Sequence, residues 1–189
     1  LYVSACLSYF HNLVYKKNMS RKYKFKDNEE IYFVSFAVIN WIDLFIRNEY
    51  KDMLVKSIQY CQQHKDLDVY AYCIMTSHVH LIIGSRGNGM SNIMRDLKRH
   101  TSESLRKTIQ QYPRESRKEW MLQTMEEAGK QNSNNIGFQL WQQDNHPIAL
   151  STEKIMQQKL DYLHNNPVEA GFVEKPEDWL YSSAKQYYT

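Results

Sequence analysis

Cysteine is scarce in this chain. The three that occur, Cys6, Cys61 and Cys73, are odd in number and widely spaced, which argues against both a disulfide framework and paired zinc-ligand spacing. They read as free thiols. Long apolar runs are missing as well: no stretch approaches the roughly 18 consecutive apolar residues of a membrane span, and the first apolar segment is broken by His11 and Asn12. Lys16, Lys17, Arg21 and Lys22 follow that segment instead of preceding it, the reverse of a secretory signal, which points to the cytoplasm. A strong charge imbalance is also lacking, since the formal net charge is +3. What matters is where the charge lies.

With 189 residues, 42% of them hydrophobic, the chain is long enough for one substantial core. It has no internal repeat and no linker-like stretch. Residues 19–189 are expected to form a single domain, and residues 1–18, ahead of Met19, read as an extension of non-native or upstream origin. Segment 15–26 holds six cations, no acid and three interleaved aromatics. That composition suits phosphates and stacked bases, and it equally suits an ordinary solvated arm.

Aromatic and β-branched residues over 31–39 predict a buried strand. Helical spacing of Met53, Leu54, Ile58 and Cys61 predicts a helix over 49–64, and strands follow at 68–75 and 78–84, separated by little more than Thr76-Ser77. A helix starting at Ser91 carries Ile93, Met94, Leu97 and Leu105 on one stripe and Arg95, Lys98, Arg99 and Arg106 elsewhere, and Pro113 bounds it. A shorter helix is expected over 120–128, a loop over 130–135 and a fourth strand over 138–142. The last long helix is expected over 151–166, capped by Ser151 or Thr152, with Pro167 just beyond its end. This order gives an α+β fold, an antiparallel sheet with helices packed on it.

Alternation along the strand puts His78 and His80 on one face and Val79, Leu81 and Ile83 on the other. Neutral imidazoles can each offer a lone pair to a metal, and a pair of them must recruit a further ligand from elsewhere. On a half-exposed strand the same residues would simply meet solvent or neighbouring strands. In so apolar a segment, though, unpaired polar groups are costly, and a metal or bound anion would account for them. On the late helix Tyr162 and Asn166 are four apart and share one flank of the Met156, Leu160 and Leu163 stripe. By themselves they also suit a boundary tyrosine and a helix-closing asparagine.

Taken together, His78-Val79-His80 on a strand, then a basic helix, then Tyr162 followed by Asn166-Pro167-Val168, resembles the single-tyrosine HUH endonucleases. More specifically it resembles the REP-associated tyrosine transposases related to the insertion-sequence-200 group. The likeness runs on through Glu169, Ala170, Gly171, Phe172 and Val173 to Pro176, Trp179 and Tyr181-Ser182-Ser183-Ala184, and includes Leu140-Trp141-Gln142 upstream. Two departures stand out: Thr76-Ser77 replaces the Pro-Asn frequent in the family, and residues 113–135 are longer than in its shortest members.

The resemblance implies a ferredoxin-like/RRM-like HUH endonuclease core and a transposase that nicks and rejoins single-stranded hairpin DNA. Tyr162 would be the nucleophile, forming a 5′-phosphotyrosine intermediate, and His78, His80 and Asn166 would hold Mg²⁺ or Mn²⁺. Arg21, Lys22, Lys24, Arg95, Lys98 and Arg99 are the candidate DNA contacts, each equally readable as a solvated surface cation. The chain would work as a monomer or homodimer, in the cytoplasm and on the nucleoid when bound to DNA. The main alternative is a non-catalytic DNA-binding module or domesticated regulator that keeps the fold. An origin-nicking nuclease is disfavoured by the short chain, and a structural zinc protein by the lack of a cysteine beside the histidines.

Overall fold

The computed structural model describes residues 25, 30–87, 89–132, 137–143, 145 and 147–188. Arg21, Lys22, Lys24 and the 1–18 extension lie outside the described residues. The strands are β1 (Tyr32–Ala37), β2 (Leu67–Ile74), β3 (His78–Ser85) and β4 (Ile148–Ala149), and the helices α1 (Asn48–His64), α2 (Met90–Gln111), α3 (Lys118–Lys130), α4 (Glu153–Glu169) and α5 (Ala184–Tyr188). The sheet is antiparallel in the order β2-β3-β1-β4. Among the described residues no helix is long and apolar enough to cross a membrane.

Helices cover both faces of the sheet, and alternation decides what each face buries. Val34 and Phe36 of β1 and Val79, Leu81 and Ile83 of β3 pack with Leu54 and Ile58 of α1 and Ile93, Met94 and Leu97 of α2. Phe33, Ala71, Cys73 and Ile82 point the other way, onto Met156 and Leu163 of α4. An irregularity between Val69 and Ala71 puts the consecutive Tyr70 and Ala71 on the same side, facing α4. His80, two residues before Ile82, falls on the α4 side.

Two sequence expectations need correction. Residues 138–142 do not form the fourth strand: only a single bridge joins Trp141 to Val38, and β4 takes the place beside β1. Backbone bonds from Ile39 N–H to Leu140 O and from Gln142 N–H to Ala37 O flank that bridge, and side-chain bonds add to them. The Trp141 indole is buried edge-on to Phe36, and its Nε1 donates to Thr101 Oγ1 at 2.9 Å. Close backbone approach also helps, because a Cβ at Gly129 would collide with the Phe138 backbone.

The second correction concerns the end of α4, which runs through Pro167 to Glu169 instead of stopping at Asn166. Pro167 has no N–H to give the Leu163 carbonyl, yet the helix continues for two more residues past it. The actual stop is Gly171 at φ +74, with Gly171 N–H donating to Val168 O and Phe172 N–H to Pro167 O, both at 2.9 Å. This is the paired closing pattern that a left-handed glycine permits. At the start, Thr152 is the cap, its side chain accepting from Ile155 N–H.

The link between α2 and α3 is fixed by one buried carboxylate. Glu115 is 4% exposed and accepts from Arg47 Nε at 2.7 Å, Arg117 Nε at 3.1 Å and Tyr50 OH at 3.2 Å. Burial alone would raise its carboxyl, but the hydrogen bonds from Arg117 and Arg47 outweigh it and hold the group at about 2, below the ordinary 4.5. Because the folded value is the lower one, the unfolded chain takes up this proton first as pH falls. The stabilisation is therefore complete above about pH 4.5 and lost on descending to about pH 2. Glu115→Gln is expected to lower the unfolding free energy by about 3 kcal/mol at neutral pH. In urea titrations across pH, the gap between wild type and variant should close as pH drops through that window.

Candidate active site

β3 begins with the paired histidines, and α4 lies across them. The His78 and His80 rings meet edge to face with centroids 4.7 Å apart. Phe33, from β1, stacks on the His80 imidazole at 5.5 Å, and the Tyr162 ring closes on it edge-on at 5.3 Å. The three rings lock one another, since Tyr162 also meets Phe33 at 5.9 Å. Tyr162 is still 40% exposed, so the cluster opens to solvent on the tyrosine side. Lys159, three residues earlier on the same helix face, sets its Nζ 5.4 Å from the Tyr162 ring centroid and 5.2 Å from that of Phe33.

The electrostatics keep both imidazoles neutral. His80 is only 3% exposed, and burial, then His78, then the Lys159 cation push it down to about 3. Neither of its ring nitrogens has a hydrogen-bond partner among the described residues. Burial also lowers His78, opposed by a hydrogen bond that the ring donates to the Asn166 side-chain oxygen and by the Asp43 charge. Ser77 Oγ lies 3.2 Å from His78 Nδ1. Asn166, one turn beyond Tyr162, thus reaches the histidine pair from the same helix.

The register of α4 is set from its other side. Its buried His164 places Nε2 2.8 Å from Ser183 Oγ, and Ser183 is tied to β2 by bonds with the Tyr72 backbone in both directions. Tyr187 of α5 adds a hydrogen bond to Tyr70 O at 2.6 Å. Cys73, the cross-strand neighbour of His80, is a free thiol that burial raises to about 12, so it stays protonated. Among the described residues no group of three or more His, Cys, Asp or Glu side chains could hold a metal ion. The Asn166 amide is the side chain of another type that stands beside the imidazole pair.

The structure brings His78, His80, Tyr162 and Asn166 together, all within one chain. It does not bring the α2 cations to them, because α2 packs on the opposite face of the sheet. Arg95 and Arg99 are largely exposed there and lean on Asp96 at 3.4 and 3.6 Å. Lys98 turns inward, donating to Gln142 O at 2.7 Å and Asn145 Oδ1 at 2.9 Å, and so braces the segment that follows Trp141. Sequence reasoning passed over Lys159 and Phe33. The i, i+3 spacing of Lys159 and Tyr162 was the available signal for the first; Phe33 is an ordinary strand aromatic until the β1–β3 register is known.

A family model described as "Transposase IS200 like" matches residues 36–143, more than half of the chain. The chain belongs to the IS200-like transposase family. The matched span contains His78 and His80 and ends before Tyr162 and Asn166. A Haemophilus influenzae protein named as a REP-associated tyrosine transposase is 28% identical over 123 residues, 64% of this chain and 61% of that protein's length. A solved structure of a REP-associated tyrosine transposase bound to a REP hairpin superposes with a TM-score of 0.63 at 18% identity, covering 89% of this chain and 84% of that one. At that identity the likeness establishes the fold, which is the antiparallel sheet with packed helices that the IS200-like resemblance implied.

The unpartnered His80 nitrogens make a stability test possible. A buried polar group without a partner costs about 1–3 kcal/mol, so His80→Leu is expected to stabilise the metal-free protein by about 1 kcal/mol. Thermal or urea unfolding in the presence of a chelator measures this, and an equal loss of stability would mean that the ring is already satisfied.

Proposed function

We propose that this IS200-like transposase is a metal-dependent endonuclease and strand transferase acting on single-stranded hairpin DNA through a 5′-phosphotyrosine intermediate. The observation that carries the reading is the Tyr162 ring at 5.3 Å from His80, beside a pair of neutral imidazoles. Hairpin DNA is the proposed substrate class because of family membership and because the superposed transposase is bound to one.

The donor set fits a divalent cation: two imidazoles whose burial keeps them unprotonated, one with both nitrogens unpartnered, and an amide side chain already in contact with the other. His78, His80 and Asn166 are the residues that would hold Mg²⁺ or Mn²⁺. When bound, such an ion supplies positive charge that polarises the phosphoryl oxygens of the DNA. Everything else falls to the chain's own groups. The Tyr162 oxygen attacks phosphorus and loses its proton, the bond from phosphorus to the 3′ oxygen breaks, and that oxygen leaves as a 3′-hydroxyl. The phosphate stays on Tyr162 through its 5′ side. Because one phosphodiester bond replaces another, a 3′-hydroxyl can reverse the step and join strands without a nucleotide.

Lys159 is well placed to neutralise charge building on the phosphate and the phenol oxygen, since its ammonium hovers over the tyrosine ring. Arg95 and Arg99, in the other layer, would serve the hairpin away from the cleavage point. Tyr162 acts in cis in this reading, as the ring beside His80 belongs to the same chain. The test is incubation with a panel of single-stranded hairpins and Mg²⁺ or Mn²⁺, looking for a denaturation-resistant protein–DNA band. Tyr162→Phe is expected to abolish the band while keeping hairpin binding, a chelator to abolish it in the wild type, and Lys159→Ala to slow its formation about tenfold or more. Wild-type protein that binds hairpins but never forms the band would mark a DNA-binding module instead.

A further inference from the structure

Leaving β1, the chain makes a tight double turn that is pinned at both ends. Val38, Ile42 and Leu44 are at most 4% exposed. Trp41 N–H donates to Val38 O at 3.0 Å, Ile42 N–H to Ile39 O at 3.2 Å, and Phe45 N–H to Thr76 O, in the turn before β3, at 2.7 Å. Between these anchors Asn40 and Trp41 take φ of +51° and +55°, the left-handed region that side chains other than glycine's disfavour. The outcome is unusual for the largest apolar side chain in the segment. Trp41 is 59% exposed, whereas Trp141 is 5% exposed.

Packing of Trp41 against the core therefore does not account for the turn. Where the indole does point is toward the candidate site: its ring stands edge-on to His78 at 5.5 Å. A flat, solvent-facing aromatic one ring away from the histidine pair, on a turn fixed by buried neighbours, has the properties of a preformed stacking surface. Bases of single-stranded DNA stack on such rings whatever their identity, because every base has a π-face. Holding the ring in place beforehand removes an ordering cost that a mobile aromatic would incur on binding.

We propose that Trp41 is the stacking platform for the nucleobase flanking the phosphate at the histidine pair, a positioning residue for the single-stranded part of the substrate. This rests on the reading of the site as a single-stranded-DNA endonuclease. It makes the site's grip on the strand two-part, with the phosphate over His78 and His80 and the adjoining base on the indole.

The probe is fluorescently labelled oligothymidylate, titrated by anisotropy alongside intrinsic tryptophan emission, with unfolding midpoints recorded for each variant. Trp41→Ala and Trp41→Gly should weaken binding about tenfold, and Trp41→Phe, which keeps a ring, should bind within about threefold of wild type. Trp41→Phe should also lose most of the DNA-induced quench of tryptophan emission. Trp41→Gly should unfold no earlier than wild type, because glycine accepts this backbone, so its binding defect cannot be a folding defect. Wild-type affinity in Trp41→Ala, or an undiminished quench in Trp41→Phe, overturns the platform. If the wild type then still forms its covalent band on the hairpin panel, the endonuclease reading stands without it. A wild type that neither binds oligothymidylate nor forms the band overturns both.

Discussion

The structure turns on how one face of β3 is shared between two imidazoles and the helix that crosses them. A helix laid over a sheet ordinarily meets aliphatic side chains, and α4 does so at Met156 and Leu163. At His80 it meets a polar ring instead, stripped of water and given no hydrogen bond by the described residues. The surroundings answer with aromatic contact: Phe33 on the flat of the ring, Tyr162 and His78 at its edges. That arrangement keeps His80 neutral and leaves its lone pair uncommitted, which is a poor solution for stability and a good one for ligating a cation.

Everything that fixes α4 consequently fixes the distance between phenol and imidazole. The Thr152 cap sets where the helix begins, the Gly171 closure where it ends, and the His164–Ser183–Tyr72 bonds hold its register against β2. Apart from Tyr72, the residues that impose these constraints lie between 152 and 183, beyond the part of the chain that carries the family match. The matched part supplies the sheet and the histidines. The tyrosine, its lysine neighbour and the amide all sit on one helix, α4.

Much of this was legible in the sequence because it depends on period. Strict alternation from His78 to Ile83 separates the imidazole face from the apolar face without any tertiary information, and four-residue spacing puts Tyr162 and Asn166 on one flank. What was not legible depends on competition between local signals and packing. Pro167 looked like the end of α4, yet the positive-φ glycine four residues on decides it. Residues 138–142 looked like a strand, yet the Trp141 side chain bonds to Thr101 in the core and leaves the edge of β1 to β4. Lys98 looked like any other cation on the basic helix, and its internal bonds to Gln142 and Asn145 are invisible without the fold.

In the proposed site a divalent cation held by the histidine pair lies next to the Tyr162 phenol. Paramagnetic broadening by Mn²⁺ of ring-labelled tyrosine NMR signals reads this proximity directly, with the Tyr162 signal assigned as the one missing from a phenylalanine variant. The expected result is selective loss of that signal at low Mn²⁺, abolished when His80 is replaced. A Tyr162 signal that stays sharp while Mn²⁺ broadens other tyrosines would contradict the claim.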